Sequence, residues 1–284
     1  MLAAHVPANL DEQVERALEE DIGSGDLTAA LISAGTRGRA AVITRERAIL
    51  CGAPYVDAVF AHIDPAAKVE WMIAEGAAAE AGQALFEVQG PARALLSGER
   101  TALNFLQLLS GTATAAHAYA QRLEGTACRV LDTRKTIPGL RSAQKYAVRV
   151  GGGQNHRIGL FDGILIKENH IMAAGSIERA VAAARATRTR VPVEVEVESL
   201  DELRQAIAAG ADIAMLDEFP LAVMVQAVAM NRAGARPLKL EASGGVTLDT
   251  IREIAETGVD FISVGSITKH VRAVDLSMRF EWST

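Results

Sequence analysis

Arg134, Lys135, His156, Arg157 and Lys167 carry most of the reactive potential of this sequence, and they crowd into one stretch. Residues 129–167 hold eight lysines and arginines against Asp132 and Asp162, a local charge of +6 in a chain whose formal net charge is −6. Guanidinium forks grip carboxylates bidentately and ammonium groups act as point charges, so a cluster containing both expects a small polyanion. His156 taken alone reads as a loop histidine; the cations around it shift it towards substrate contact. Arg141, Lys145 and Arg149 recur every four residues and read instead as one solvated or interface face of a helix.

Carboxylates and glycines follow at regular intervals. Val193-Glu194-Val195-Glu196-Val197-Glu198 alternates with period two, which puts three valines on one face of a strand and three glutamates on the other. If the valines pack under helices, the glutamates point into a core and need lysines, arginines or a metal; the alternative is an edge strand with its glutamates in water. Asp217, at the end of the next apolar run, would lie beside Glu196, and such hard oxygen donors suit magnesium. Ser243-Gly244-Gly245 and Gly265-Ser266 each precede an expected helix, where free N–H groups attract phosphate.

These residues sit at the ends of recurring elements. Short apolar runs at 129–131, 164–166, 191–197, 211–216, 238–241 and 259–264 alternate with helical stretches at 140–150, 176–188, 199–209, 220–232 and 247–257. Repeated strand–helix units imply a parallel sheet with right-handed crossovers, either a reduced barrel or an open sheet. In a barrel, chemistry gathers at the C-terminal ends of the strands, where the loops converge. Before this region, residues 39–50, 68–74 and 84–88 read as strands and 53–63 as a helix. A long Ala/Leu-rich helix runs from 91 to about 123, with an expected break near Ser110-Gly111. That pattern predicts a small α+β domain ending near residue 110.

Composition narrows the class. The chain has 284 residues, 49% apolar and 23% charged, enough to bury a core without covalent staples. No window is apolar enough for a membrane span, and the acidic first twenty residues do not read as a secretory or transit peptide. Two cysteines form neither a disulfide framework nor a metal motif, which favours a reducing, cytoplasmic compartment. A net negative chain is a poor partner for nucleic acid.

The segment LDTRKTIPGLRSAQKYAVRVGGGQNHRIGLFDGILIKENHI (131–171) resembles quinolinate phosphoribosyltransferases, the carboxylating nicotinate-nucleotide pyrophosphorylases. VEVEVESL (193–200), MLDEF (215–219), EASGGVT (241–247), the stretch 256–280 and, towards the N-terminus, GDLT (25–28) and GERTALNFLQLLSGTAT (98–114) extend the likeness across the chain. The resemblance implies an α/β fold: an N-terminal α/β sandwich over 1–110, an incomplete α/β barrel of six or seven strands over 111–268, and a segment 269–284 returning to the first domain. It implies a magnesium-assisted glycosyl transfer from phosphoribosyl pyrophosphate to quinolinate, giving nicotinate mononucleotide, pyrophosphate and carbon dioxide. Carried over by motif, Arg134, Lys135, His156, Arg157 and Lys167 contact the quinolinate carboxylates, with the lysines shared with the phosphoribosyl group. Arg100 is lent across a dimer interface, in a dimer or a hexamer. Glu196 and Asp217 flank the ribose and magnesium, and Ser243, Gly244, Gly245 and Gly265 hold the 5′-phosphate. Lys135, Glu196 and Asp217 are the expected catalytic set. Two positions depart from the family pattern: Glu218 stands where asparagine is frequent, and Glu168 where aspartate is commoner. The rival readings are a related barrel group linked to molybdenum transport, from which Lys167 distinguishes this chain, and a lyase using Lys135 or Lys167 as a Schiff base.

Overall fold

A computed structural model describes residues 5–187 and 190–282. Residue 188 of the expected helix 176–188, and the outermost residues (1–4 and 283–284) of the expected first and last domains, lie outside the described residues. The chain begins with α1 (Leu10–Ile22), β1 (Arg37–Thr44), β2 (Ala48–Ile49), α2 (Ala53–Ile63), β3 (Lys68–Trp71), β4 (Ala78–Ala79), β5 (Ala84–Pro91) and α3 (Ala92–Arg122). It continues through β6 (Arg129–Leu131), α4 (Arg141–Val150), β7 (Ile164–Ile166), α5 (Glu168–Ala174), α6 (Ile177–Ala186) and β8 (Val193–Val197). Then come α7 (Leu200–Ala209), β9 (Ile213–Asp217), α8 (Leu221–Ala233), β10 (Lys239–Ser243), α9 (Ile251–Glu256), β11 (Phe261–Ser263), α10 (Ser266–Lys269) and β12 (Leu276–Trp282).

Among the described residues two compact units form, one from 5–117, 136–152 and 267–282, the other from 118–135, 153–187 and 190–266. They interleave along the chain: residues 136–152, expected within the barrel domain, and the segment from 267 both lie in the first unit. The reason is packing: Ala143, Tyr146 and Ala147 of α4 belong to the core of the first unit. There Lys145 is only 2% exposed and Arg141 and Arg149 are half-buried, so the expected solvated face of this helix does not exist.

In the first unit the antiparallel order is β12-β1-β5-β3. β1 buries alternate residues, Gly38, Ala40, Val42 and Thr44, as its period-two pattern requires. Beneath the sheet Tyr55, Phe60, Phe86, Leu95, Leu106 and Leu109 are fully buried. The first residues of α2 are fixed by Glu75, whose carboxylate accepts the N–H groups of Gly52 and Ala53 at 2.8 and 2.9 Å, a negative charge on a helix N-terminus.

The expected break in α3 at Ser110-Gly111 is absent, and the helix is continuous. Both residues serve contacts instead. The Ser110 hydroxyl accepts the Cys51 N–H at 3.0 Å and donates to the Cys51 carbonyl at 3.1 Å. A Cβ on Gly111 would come within 2.2 Å of the Arg272 carbonyl oxygen. This glycine therefore admits a neighbouring backbone rather than ending a helix.

The second unit is a six-stranded, all-parallel sheet in the order β6-β11-β10-β9-β8-β7. β6 and β7 are its two ends. Beside β6, Gln154 makes a parallel bridge to Leu131, its N–H donating to the Val130 carbonyl at 2.9 Å and its carbonyl accepting from Asp132 at 3.1 Å. The ring is thus an incomplete barrel. Serine caps start two of its helices, Ser176 accepting from Arg179 N–H and Ser199 from Glu202 N–H, both at 3.2 Å.

Gly111→Ala should destabilise the chain by about 2 kcal/mol or more through overpacking against the Arg272 carbonyl. Gly35→Ala, where an added Cβ meets nothing within 4 Å, is the matched control and should change stability by less than about 0.5 kcal/mol. Urea unfolding of both variants checks the pair.

Candidate active site

Cross-strand partners share a face, so the register sorts the barrel side chains. Leu165 pairs with Glu194, Glu194 with Ile213, Glu196 with Met215, Met215 with Glu241, and Asp217 with Ser243. Glu194 and Glu196 are 4% and 9% exposed and Glu241 is completely buried, while Val193, Val195 and Val197 are buried on the opposite face of β8. The edge-strand alternative for 193–198 is therefore excluded. Glu198, expected with the other two inside, lies just past the end of β8 and is exposed; its N–H donates to the Glu202 carboxylate at 2.7 Å.

Each interior carboxylate meets a base. Lys167, directly after β7, forms an ion pair with Glu196. The His156 ring places Nε2 2.9 Å from Glu194 Oε2 and 3.5 Å from Glu241 Oε2. Its other nitrogen, Nδ1, accepts the Arg157 N–H at 2.8 Å and so carries no proton. The hydrogen is thereby on Nε2, which donates to Glu194. The His156 N–H donates to Asp132 Oδ1 at 3.0 Å, and the Asn155 side chain donates to the other oxygen of that fully buried carboxylate.

Glu241 has only the longer contact, 3.5 Å from His156 Nε2. Among the described residues neither of its oxygens accepts a hydrogen bond, and the same holds for Glu194 Oε1. Burial first, then the neighbouring Glu194 charge, push the Glu241 carboxyl up to about 8, with His156 and Ser263 pulling back in part. His156, Glu194 and Glu241 each offer a ligand-type atom within 4.8 Å of the others. The hydrogen on Nε2 nevertheless faces the carboxylates, and moving it to Nδ1 would oppose the Arg157 N–H, so this trio is built to hold a proton rather than a cation.

Arg157 runs back along its own loop, Nη1 donating to the Gly163 carbonyl at 3.2 Å. Burial, and then the nearby Arg134 guanidinium, lower its pKa from the ordinary arginine value; Glu194 and Asp162 oppose the fall. The Asp162 carboxylate also accepts the N–H groups of Ile158 and Gly159 at 2.8 and 2.9 Å, which ties the 158–162 turn together. A cavity of about 370 Å³ is lined by His156, Arg157, Glu194, Glu241, Leu131 and Phe261, among others.

Lys135, Asp217, Ser243 to Gly245 and Gly265 follow β6 or stand at or just beyond the ends of β9, β10 and β11. Lys135 is exposed; its N–H donates to Thr133 Oγ1 at 3.1 Å, and its stem passes over Gly265, where a Cβ would stand 3.1 Å from Lys135 Cδ. Gly265 opens α10 directly, whereas the helix expected from residue 247 begins only at Ile251, after a turn tied by Thr247 and Thr250. Gly244 and Glu218 are pressed together: a Cβ on Gly244 would lie 2.4 Å from Glu218 Cγ, and the Glu218 N–H donates to the Ser243 carbonyl at 2.9 Å. Glu218 adopts φ 54°, a left-handed conformation that asparagine tolerates better than glutamate.

Eleven of the twelve expected site residues lie in the second unit. Arg100 lies in the first, exposed on α3, where it lowers the carboxyl of Glu99 against the larger upward push of burial. For a divalent ion, Glu196 and Asp217 offer hard oxygens on the same face of adjacent strands. Asp217 has no hydrogen-bond or ion-pair partner among the described residues, and Glu196 shares its charge with Lys167. This donor set fits magnesium completed by substrate phosphates. Sequence reading passed over Glu241 and took Asp132 only as part of the polar cluster after the first barrel strand. The period-two rule that placed Glu194 inside would have found Glu241, which stands two residues before Ser243 on the same face of β10.

Comparison with known proteins divides the chain once, near residue 111. Residues 112–279 match the family described as quinolinate phosphoribosyl transferase, C-terminal domain, and residues 26–110 match its N-terminal domain. A probable carboxylating nicotinate-nucleotide pyrophosphorylase of Bacillus subtilis is 43% identical over 260 residues, 91% of this chain and 89% of the relative. The corresponding protein of Mycobacterium leprae is 41% identical over 274 residues, 94% of this chain and 95% of its own. The solved structure of nicotinate-nucleotide pyrophosphorylase from Francisella tularensis superposes with a TM-score of 0.93 at 47% identity, covering 98% of this chain and 99% of that one.

Between the ordinary glutamate value of 4.5 and about 8, Glu241 binds a proton only in the folded state, so its contribution to stability falls as pH rises through that window. Glu241→Gln should therefore gain stability relative to the parent chain between pH 5 and pH 8, as urea unfolding at both pH values will show. Glu218→Asn should stabilise the fold by about 0.5–1 kcal/mol by easing the left-handed backbone, read from the same unfolding curves.

Proposed function

The chain belongs to the quinolinate phosphoribosyl transferase family, and on that premise we infer how its barrel residues divide the work of the reaction. The protein is a pentosyltransferase of NAD biosynthesis that converts quinolinate and phosphoribosyl pyrophosphate to nicotinate mononucleotide, pyrophosphate and carbon dioxide. The observation that carries this reading to individual residues is the pair Arg134 and Arg157, both half-buried in the second unit, with the Arg134 charge among the causes that lower the Arg157 pKa. A pyridine bearing two adjacent carboxylates supplies two negative charges to such a pair.

In this reading Arg134, Arg157 and Lys167 hold the quinolinate carboxylates and aim the ring nitrogen at C1 of the ribose, while His156, whose Nδ1 accepts the Arg157 N–H, fixes the backbone of Arg157 beside them. Held partners turn a bimolecular encounter into a positioned attack. Gly244, Gly245 and Gly265 present backbone to the 5′-phosphate, and Ser243 adds a hydroxyl. Glu196 and Asp217 stand near the ribose, where positive charge develops as the pyrophosphate leaves, and their carboxylates stabilise it. The same two residues would hold magnesium, which when bound neutralises negative charge on the pyrophosphate. Lys135 then faces the ring carbon that loses its carboxylate, stabilising the carbanion or returning a proton to it. The Lys167 ammonium, committed to Glu196, does not suit a Schiff-base lyase.

Exposed Arg100 reaches a second copy of the chain in this reading, and the protein is a homo-oligomer, a dimer or a larger assembly of dimers. The exposed side chains of Leu27 and Leu31, in the same unit as Arg100, support such an interface. No helix among the described residues is long and apolar enough to cross a membrane. Two free, buried cysteines, Cys51 and Cys128, suit the reducing cytoplasm.

Incubation with quinolinate, phosphoribosyl pyrophosphate and magnesium should release carbon dioxide and mononucleotide in equal amounts, with nicotinate a poor substitute for the dicarboxylate. Lys135→Ala should lower phosphoribosyl-dependent carbon dioxide release by about 100-fold or more. Near-normal release by this variant would refute the assignment of Lys135.

A further inference from the structure

We propose that Asp132 is a positioning residue for quinolinate binding: its buried carboxylate stands in for a main-chain carbonyl and holds the His156-Arg157 segment where Arg134 and Lys135 leave β6. The inference rests on the functional reading above, which sets Arg134 and Arg157 against the quinolinate carboxylates.

A parallel ladder alternates donors and acceptors at even spacing, and the one beside β6 changes partner at Asp132. The Gln154 N–H donates to the Val130 carbonyl at 2.9 Å, and the Gln154 carbonyl accepts the Asp132 N–H at 3.1 Å. The next bond of such a ladder would run from the His156 N–H to the Asp132 carbonyl. The His156 N–H donates instead to Asp132 Oδ1 at 3.0 Å, and the Asn155 amide donates to Oδ2. The side chain thus continues the pairing after the main chain has turned away. Residues 133–135 are free to leave the sheet, and the Lys135 stem passes over Gly265 while His156 stays tied to the end of β6.

Asp132 is completely buried, where a carboxylate needs hydrogen-bond donors. Its two donors come from consecutive residues, and the next residue, Arg157, gives its N–H to the His156 ring at 2.8 Å. The two guanidiniums assigned to quinolinate therefore sit on the two chain segments that Asp132 joins. Arg134 follows Asp132 by two residues, and Arg157 follows the His156 contact by one. The Arg134 charge is among the causes that lower the Arg157 pKa, so these segments carry like charges and the tie opposes their separation. Carboxylates on adjacent ring atoms have a fixed spacing, and a grip on both requires the two segments to keep theirs.

Steady-state kinetics of Asp132→Asn and Asp132→Glu separate a geometric tie from a charge. The first variant keeps an acceptor oxygen at the same reach and removes the charge; the second keeps the charge and displaces the acceptor. Asp132→Glu should raise KM for quinolinate by about tenfold, with kcat and the KM for phosphoribosyl pyrophosphate changed by less than about threefold. Asp132→Asn should leave the quinolinate KM within about twofold of the parent value. The reverse order, an unmoved quinolinate KM in Asp132→Glu, or losses shared equally by both substrates would overturn the inference while the functional reading stands. If Asp132→Glu does not fold, Asn155→Ala keeps Asp132 and removes one of its donors. The quinolinate KM should then rise by about threefold, and an unchanged value would overturn the inference. Failure of the unaltered chain to release carbon dioxide would overturn the functional reading, and the inference with it.

Discussion

Carboxylates inside a parallel barrel are the constraint on which the rest of this site depends. β8 must bury its valines under helices, and period two then forces Glu194 and Glu196 into the interior. An unpaired charge there would cost more than a domain can spare, so every interior acid takes a base, a donor or a proton. Glu196 takes Lys167, Glu194 takes His156, Asp132 takes the His156 N–H and the Asn155 amide, and Glu241 keeps its proton. These pairings set the orientation of the residues that bind substrate. The site is arranged by neutralisation before any ligand arrives, as electrostatic catalysis requires.

Backbone geometry does for the strand ends what charge does for the interior. Gly244 admits the Glu218 side chain, Gly265 admits the Lys135 stem, and the left-handed turn at Glu218 brings its N–H to the Ser243 carbonyl. A side chain at either glycine would displace a neighbour, so small residues at these positions bring the loops of β6, β9, β10 and β11 close to one another. In the first unit Gly111 has the same role against the Arg272 carbonyl, within an unbroken helix.

Much of this was legible in the residues themselves. The bounds of β6 and β7 coincide with their apolar runs, and α2 spans the stretch its periodicity indicates. The motif around Thr133-Arg134-Lys135 and the run through His156-Arg157 identified the family without reference to any contact. What escaped was context. Ser110-Gly111 has the composition of a helix break, but α3 is long and packed enough to override a local preference. Lys145 has the spacing of a solvated face, but its helix is claimed by the core of the other unit. Glu198 continues the alternation of β8 in composition only, because the strand ends one residue earlier.

The sequence by itself determined which chemistry was available: a concentrated cationic segment, glutamates held in phase by valines, and glycine turns after the last strands. Those are local properties, since side-chain type and strand periodicity need no knowledge of distant neighbours. The tertiary structure alone decided which acid is neutral and which base is committed. Glu194 and Glu241 are 47 positions apart in the chain and within 4.8 Å in the barrel. The upward shift of the Glu241 carboxyl arises from burial and from the Glu194 charge, and neither exists until β8 and β10 close around a common interior.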